Sequence, residues 1–162
     1  MIVYFVFLLF SLLWLGIIFL GPYLCFLGAD FALLKNIYYF LFRLICHQKP
    51  ERSYFIWGYQ LPVCVRCLGI YTGIVIGAFI YPLFKNIKST AIPEKKFLPV
   101  FLAPIFIDGL AQIFNLYFSP HYIRFLTGII ASIALVFYTL PFLQQLYSRL
   151  VEKNRKFENQ LK

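Results

Sequence analysis

Residues 1–29 read MIVYFVFLLFSLLWLGIIFLGPYLCFLGA, with no charged side chain anywhere in the run. A helix rises about 1.5 Å per residue, so about 20 apolar residues cross the hydrocarbon core of a bilayer. The stretch therefore reads as a membrane-spanning helix. It is a poor signal peptide: it lacks a basic leading segment, its apolar run is too long, and no small-residue cleavage site follows cleanly.

The rest of the chain agrees with that start. Of its 162 residues, 62% are hydrophobic and 13% charged, against about 25% charged in soluble domains. Mean hydropathy is +0.80. The apolar runs are continuous rather than alternating, which argues for helices and against a β-barrel. The expected fold is all-α: an integral membrane bundle of four to five transmembrane helices. Further spans are expected at 67–84 (beginning near Pro62), 97–118 and 125–148. Residues 31–46 are ambiguous because Lys35 and Arg43 interrupt them. They read either as a short fifth span whose cations snorkel to the interfaces, or as an interfacial or re-entrant helix. Residues 1–148 thus form one transmembrane domain and residues 149–162 a basic tail.

The net charge of +9 does not point to nucleic acid. Nine of the fifteen Lys and Arg lie in two segments: Lys85, Lys88, Lys95 and Lys96, then Arg149, Lys153, Arg155, Lys156 and Lys162. Such clusters mark cytoplasmic segments and favour contact with anionic lipid in the bilayer. Two spans separate them, which places both on one side. The tail also carries Leu146, Leu150, Val151, Phe157 and Leu161, an amphipathic pattern suited to the membrane surface. The loop 47–62 and the short loop 119–123 with His121 then face the extracytoplasmic side.

That outer loop holds the chemistry. The chain has four Cys and two His, and Cys46, His47, Cys64 and Cys67 fall within one short segment. Pro62 suits the first turn of a helix, which would put Cys64 and Cys67 on one face near its N-terminus. The helix dipole and Arg66 favour a thiolate there. Three thiolates and one imidazole suit zinc first and iron second. Cys46 and His47 are adjacent, so His121 is an alternative fourth ligand. A Cys64–Cys67 thiol-disulfide pair is the competing reading, and buried thiols or a static disulfide the third. CxxC at a helix start in a small bundle resembles the membrane disulfide-generating enzymes, which pass electrons to a quinone. Those enzymes use a second cysteine pair, and here only Cys46 remains on that face. Cys25 reads as a packed core thiol. Arg52 and Arg66 are candidates to clamp a phosphate or lipid headgroup, or to anchor at the interface beside Glu51. Tyr54, Phe55, Trp57 and Tyr59 read as an interfacial aromatic belt.

Asp108, Gln112 and Asn115 share one helix face. An ionisable residue inside a span is a functional-site candidate; the alternative is an Asp that only hydrogen-bonds a neighbouring helix. Arg124, Thr127, Ser132 and Thr139 are its expected partners. Gly69, Gly73 and Gly77 form a small-residue stripe for close helix packing, within the bundle or in a homo-oligomer. Gly128 and Ser132 are a weaker version.

These motifs together resemble an uncharacterised family of small prokaryotic multi-pass membrane proteins. The family pattern Cys-His-Gln-x-Pro-x-Arg-Ser matches Cys46, His47, Gln48, Pro50, Arg52 and Ser53. Its Pro-Val-Cys-x-Arg-Cys-x-Gly-Ile-Tyr-x-Gly matches Pro62, Val63, Cys64, Arg66, Cys67, Gly69, Ile70, Tyr71 and Gly73. Asp-Gly-x-x-Gln and Arg-x-x-Thr-Gly match Asp108, Gly109, Gln112 and Arg124, Thr127, Gly128. The resemblance implies a prokaryotic cell membrane and these site residues; it implies no reaction. Three functions stay open: a metal-binding protein, a thiol oxidoreductase, and a small transporter or lipid-headgroup binder using Asp108 and the arginines.

Overall fold

A computed structural model describes residues 1–28, 32–94, 96–114 and 116–160; the side chains of 32–34 and 157–160 are not included. Lys95, Asn115, Leu161 and Lys162 lie outside the described residues, as does the Phe157 side chain. Five α-helices follow in order: α1 (Ile2–Phe26), α2 (Ala32–Arg43), α3 (Val65–Phe84), α4 (Phe97–Ile113) and α5 (His121–Gln160). A 3-10 turn at Pro50–Arg52 and a hairpin of β1 (Phe55–Ile56) and β2 (Tyr59–Gln60) lie between α2 and α3.

Helices α1, α3 and α5 are long and apolar enough to cross a membrane. Helix α4 is apolar over 17 residues, the lower end of the usual span length. Helix α2 bears on the ambiguity of residues 31–46. Its 12 residues rise only about 18 Å, too short to span. Helix α2, at that length, suits the interfacial or re-entrant alternative. It packs on α1, where the Tyr38 hydroxyl donates to the Ile17 carbonyl at 2.8 Å and Trp14 meets Phe42 with ring centres 5.6 Å apart.

The bundle is built on α3 against α5, and glycine makes that possible. A Cβ at Gly73 would lie 2.7 Å from the Ile129 carbonyl oxygen, and one at Gly128 2.7 Å from that of Arg66. With no side chain at either point, the backbones touch. Gly69 and Gly77 meet Phe125 and Val136 of α5 in the same way. Of the two packings expected of the stripe, the one within the bundle is seen: α5 lies against it. Ser132 is fully buried at the same seam.

The two ends of the bundle differ. At one end the 85–96 loop is tied to α5: Gln144 donates to the Ile87 carbonyl, Gln145 to that of Thr90 and Tyr138 to that of Glu94. At the other end the 47–62 loop meets the start of α5, where Tyr54 and His121 lie with ring centres 5.5 Å apart. Helix α5 continues through the basic segment after residue 148 without a break. Exposed apolar side chains such as Phe5, Leu9, Leu13, Val100 and Ile107 cover the outside of the helices, as a lipid-facing surface requires.

Candidate metal centre and cationic cavity

The cysteine loop is shaped by backbone turns that the residue types permit. Gln48 takes φ 48, turning the chain directly after Cys46-His47. Its side chain donates to the Tyr39 carbonyl at 2.8 Å, and Gln60 donates to the Gln48 carbonyl at 2.7 Å. Trp57 and Gly58 take φ 52 and 81, the positive pair of a two-residue hairpin turn whose twist matches the strands. Trp57 stacks on Phe26, ring centres 5.6 Å apart. The aromatic segment read as a belt is therefore a hairpin pinned to the end of α1. Two-residue strands are too short to show periodicity in sequence.

Helix α3 begins at Val65, three residues later than Pro62 suggests. Pro62 belongs to the extended approach, and Cys64 is the N-cap with extended backbone angles. Its amide donates to the Cys46 sulfur at 3.0 Å. Cys67 follows in the first turn. The sulfurs of Cys46, Cys64 and Cys67 all lie within 4.8 Å of one another. Cys46 is buried and packs with Ile18, Phe42, Leu61, Val63 and Leu68, so an apolar wall backs the group. The Cys46 thiol is held well below its ordinary value, first by the hydrogen bond from the Cys64 thiol and then by that from Cys67. The Cys64 thiol, as the donor, is pushed up by the same bond. A hydrogen bond to the charged form favours it, and the donor's proton is correspondingly harder to lose.

His47 is not in this sulfur group. Adjacent side chains diverge here: Cys46 turns into the core while His47 is exposed and lines a cavity beside Cys64. His121 stacks on Tyr54 and is also outside the group. Cys25 is a free, half-buried thiol apart from it.

The cavity has a volume of about 280 Å³ and is lined by His47, Lys49, Arg52, Cys64, Arg66, Gln112 and Arg124. The outer loop, α3, α4 and α5 each contribute a wall. Behind it sits Asp108, 3% exposed. Arg66 forms an ion pair with Asp108. Gln112 donates to the same carboxylate at 2.8 Å, and the Tyr117 hydroxyl donates to its other oxygen at 2.6 Å. The expected partners on α5 are corrected. The hydroxyls of Thr127, Ser132 and Thr139 bond back to carbonyls of their own helix, a habit of Ser and Thr in helices. Arg124 makes no hydrogen bond to Asp108; its guanidinium lies 4.9 Å from the centre of the Phe118 ring. Asp108 stands in the last turns of α4, at the cysteine end. Glu51 is exposed and forms no ion pair with Arg52 among the described residues.

Sequence reasoning missed Lys49 and Tyr117 as site residues. Lys49 reads as one more loop cation, and Tyr117 lies nine positions from Asp108, beyond any helical contact rule.

A family model described as "Predicted membrane protein (DUF2085)" matches residues 46–138. An uncharacterized protein of Methanocaldococcus jannaschii, MJ1492, is 43% identical over 136 residues, covering 82% of this chain and 87% of that protein. An uncharacterized protein of Methanothermobacter thermautotrophicus is 41% identical over 98 residues, 60% of this chain and 86% of that protein. No solved structure matches.

Proposed function

Since the chain belongs to the DUF2085 family of predicted membrane proteins, we propose that it is an integral membrane protein carrying a three-thiolate metal centre, with zinc the favoured ion and iron the alternative. The observation that carries this reading is the convergence of the Cys46, Cys64 and Cys67 sulfurs within 4.8 Å. They come from two segments of chain, and Cys46 is held by a backbone amide. Tetrahedral zinc with Zn–S bonds of about 2.3 Å needs sulfurs about 3.8 Å apart. Small rotamer adjustments achieve that from the observed group. Thiolates favour zinc and iron over hard cations, and the apolar backing limits competition from water.

Three protein ligands leave a fourth position open. Cys64 lines the cavity, so that position faces it. In a loaded centre it would be taken by His47 from the cavity wall, or by a water or substrate atom. An open position is the pattern of catalytic rather than structural zinc. The thiol centre belongs on the extracytoplasmic side, because the 85–96 loop and the end of α5 carry the cationic clusters expected of cytoplasmic segments.

A thiol-disulfide oxidoreductase using Cys64 and Cys67, linked to a quinone, is the second reading. It is favoured by one observation: the Cys64 thiol borders the cavity and is open to a partner. Cobalt loading separates the two. Under the metal reading, reduced, metal-stripped protein takes up Co²⁺ with intense thiolate-to-metal absorption, and Cys67→Ser weakens it sharply. Under the redox reading the protein binds no cobalt tightly, and its thiols cycle with an added quinone.

A further inference from the structure

We propose that the cavity beside the thiols is a binding site for a phosphate-class oxyanion, either free phosphate or the phosphate of a lipid headgroup. Arg124 is 2% exposed, yet among the described residues its Nε, Nη1 and Nη2 all lack a hydrogen-bond partner. A buried charge is tolerated only when it is paired and hydrogen-bonded. The face of Phe118 offsets part of that cost, but a ring accepts none of the planar N–H bonds. Five donors in a fixed fork are left facing the cavity, and that fork matches the oxygens of a phosphate.

The neighbouring groups do not supply the missing acceptor. Asp108 is the near carboxylate, and its oxygens already accept from Arg66, Gln112 and Tyr117. The ion pairs found among the described residues are Arg66–Asp108, Lys96–Glu94 and Lys156–Glu152. None involves Lys49, Arg52 or Arg124. The Nε atoms of Arg52 and Arg66 are also buried without a partner. Four cations border the cavity and one carboxylate lies behind it, an excess of three positive charges. A monoanion leaves most of that excess uncompensated; a phosphate dianion offsets two of the three charges. At about 280 Å³ the cavity falls just below the roughly 300–1,000 Å³ range of small-molecule sites. That suits a headgroup or free anion with water rather than a large ligand.

This site does not rest on the metal reading, because the arginines stand where they do whether or not the thiols hold an ion. The test is thermal unfolding of detergent-solubilised protein titrated with inorganic phosphate at constant ionic strength, with acetate as control. A parallel arm compares nanodiscs of phosphatidylcholine with and without phosphatidic acid. Metal content is read on the same samples. The expected result is stabilisation by phosphate beyond acetate, or by phosphatidic acid beyond phosphatidylcholine alone. The first outcome identifies a free anion and the second a lipid headgroup; both support the site. Arg124→Gln is expected to remove the effect while leaving the ligand-free protein as stable or more so, since it deletes an unpaired buried cation. The double variant Lys49→Ala/Arg52→Ala, at less buried positions, is expected to weaken binding by about tenfold or more, the size of one lost charge-assisted hydrogen bond. Equal stability in all anions and both nanodisc types overturns the proposal. So does an effect that survives in both variants.

Discussion

At the scale of single residues, Arg66–Asp108 is the ion pair with a buried partner among the described residues. Asp108 is almost fully buried and takes three donors. Removing one partner of such a pair costs about 3–5 kcal/mol, whereas replacing both by apolar residues of similar size is near neutral. We therefore expect Arg66→Met and Asp108→Leu each to destabilise the protein strongly. The combination should be closer to wild type than their sum, and a double-mutant cycle of unfolding free energies in detergent checks it. Additive losses would mean that the two side chains do not act as a pair. At this scale the sequence was most legible for the thiols: CxxC at a helix start with a third cysteine nearby is a spacing with few uses. It was least legible for the arginines. Arg52 and Arg66 stand out as a clamp in sequence, but Arg66 is taken by Asp108 and the unpartnered fork belongs to Arg124. Which cation finds the one buried carboxylate depends on three helices meeting, and no local pattern encodes that.

At the scale of elements, the helices were legible because apolar runs of spanning length admit few alternatives. Their ends were less so. Pro62 carries the right residue type for a first turn, but Val65 starts the helix because Cys64 spends its amide on Cys46. The α3–α5 seam was visible as glycine spacing, though not which helix it meets. Filling it should be costly. We expect Gly73→Leu to destabilise the protein by about 1–3 kcal/mol or to prevent folding, as overpacking does. Gly16→Leu on α1, with nothing within 4 Å of an added Cβ, should be tolerated. Thermal unfolding of the two variants side by side tests this, and equal tolerance would contradict the observed seam.

At the scale of the whole molecule, polarity follows from the two unlike ends. The thiol loop and the start of α5 share one end, and the 85–96 loop bonded to α5 shares the other. In whole cells, a membrane-impermeant maleimide should label Glu51→Cys above the background of the native thiols, while Ser89→Cys should rise above that background only after the membrane is opened. The reverse pattern would place the thiol centre in the cytoplasm. Composition announced the membrane; the hairpin, the short α2 and the cationic cavity appear only once the chain is folded, because each depends on contacts between distant segments. The central claim is that Cys46, Cys64 and Cys67 together hold one metal ion. Elemental analysis of anaerobically purified, detergent-solubilised protein tests it most directly. The account predicts about one zinc or iron per chain, lost in Cys67→Ser while the helical fold is kept. Metal-free native protein in which Cys46, Cys64 and Cys67 titrate along with Cys25, four thiols in all, would contradict it.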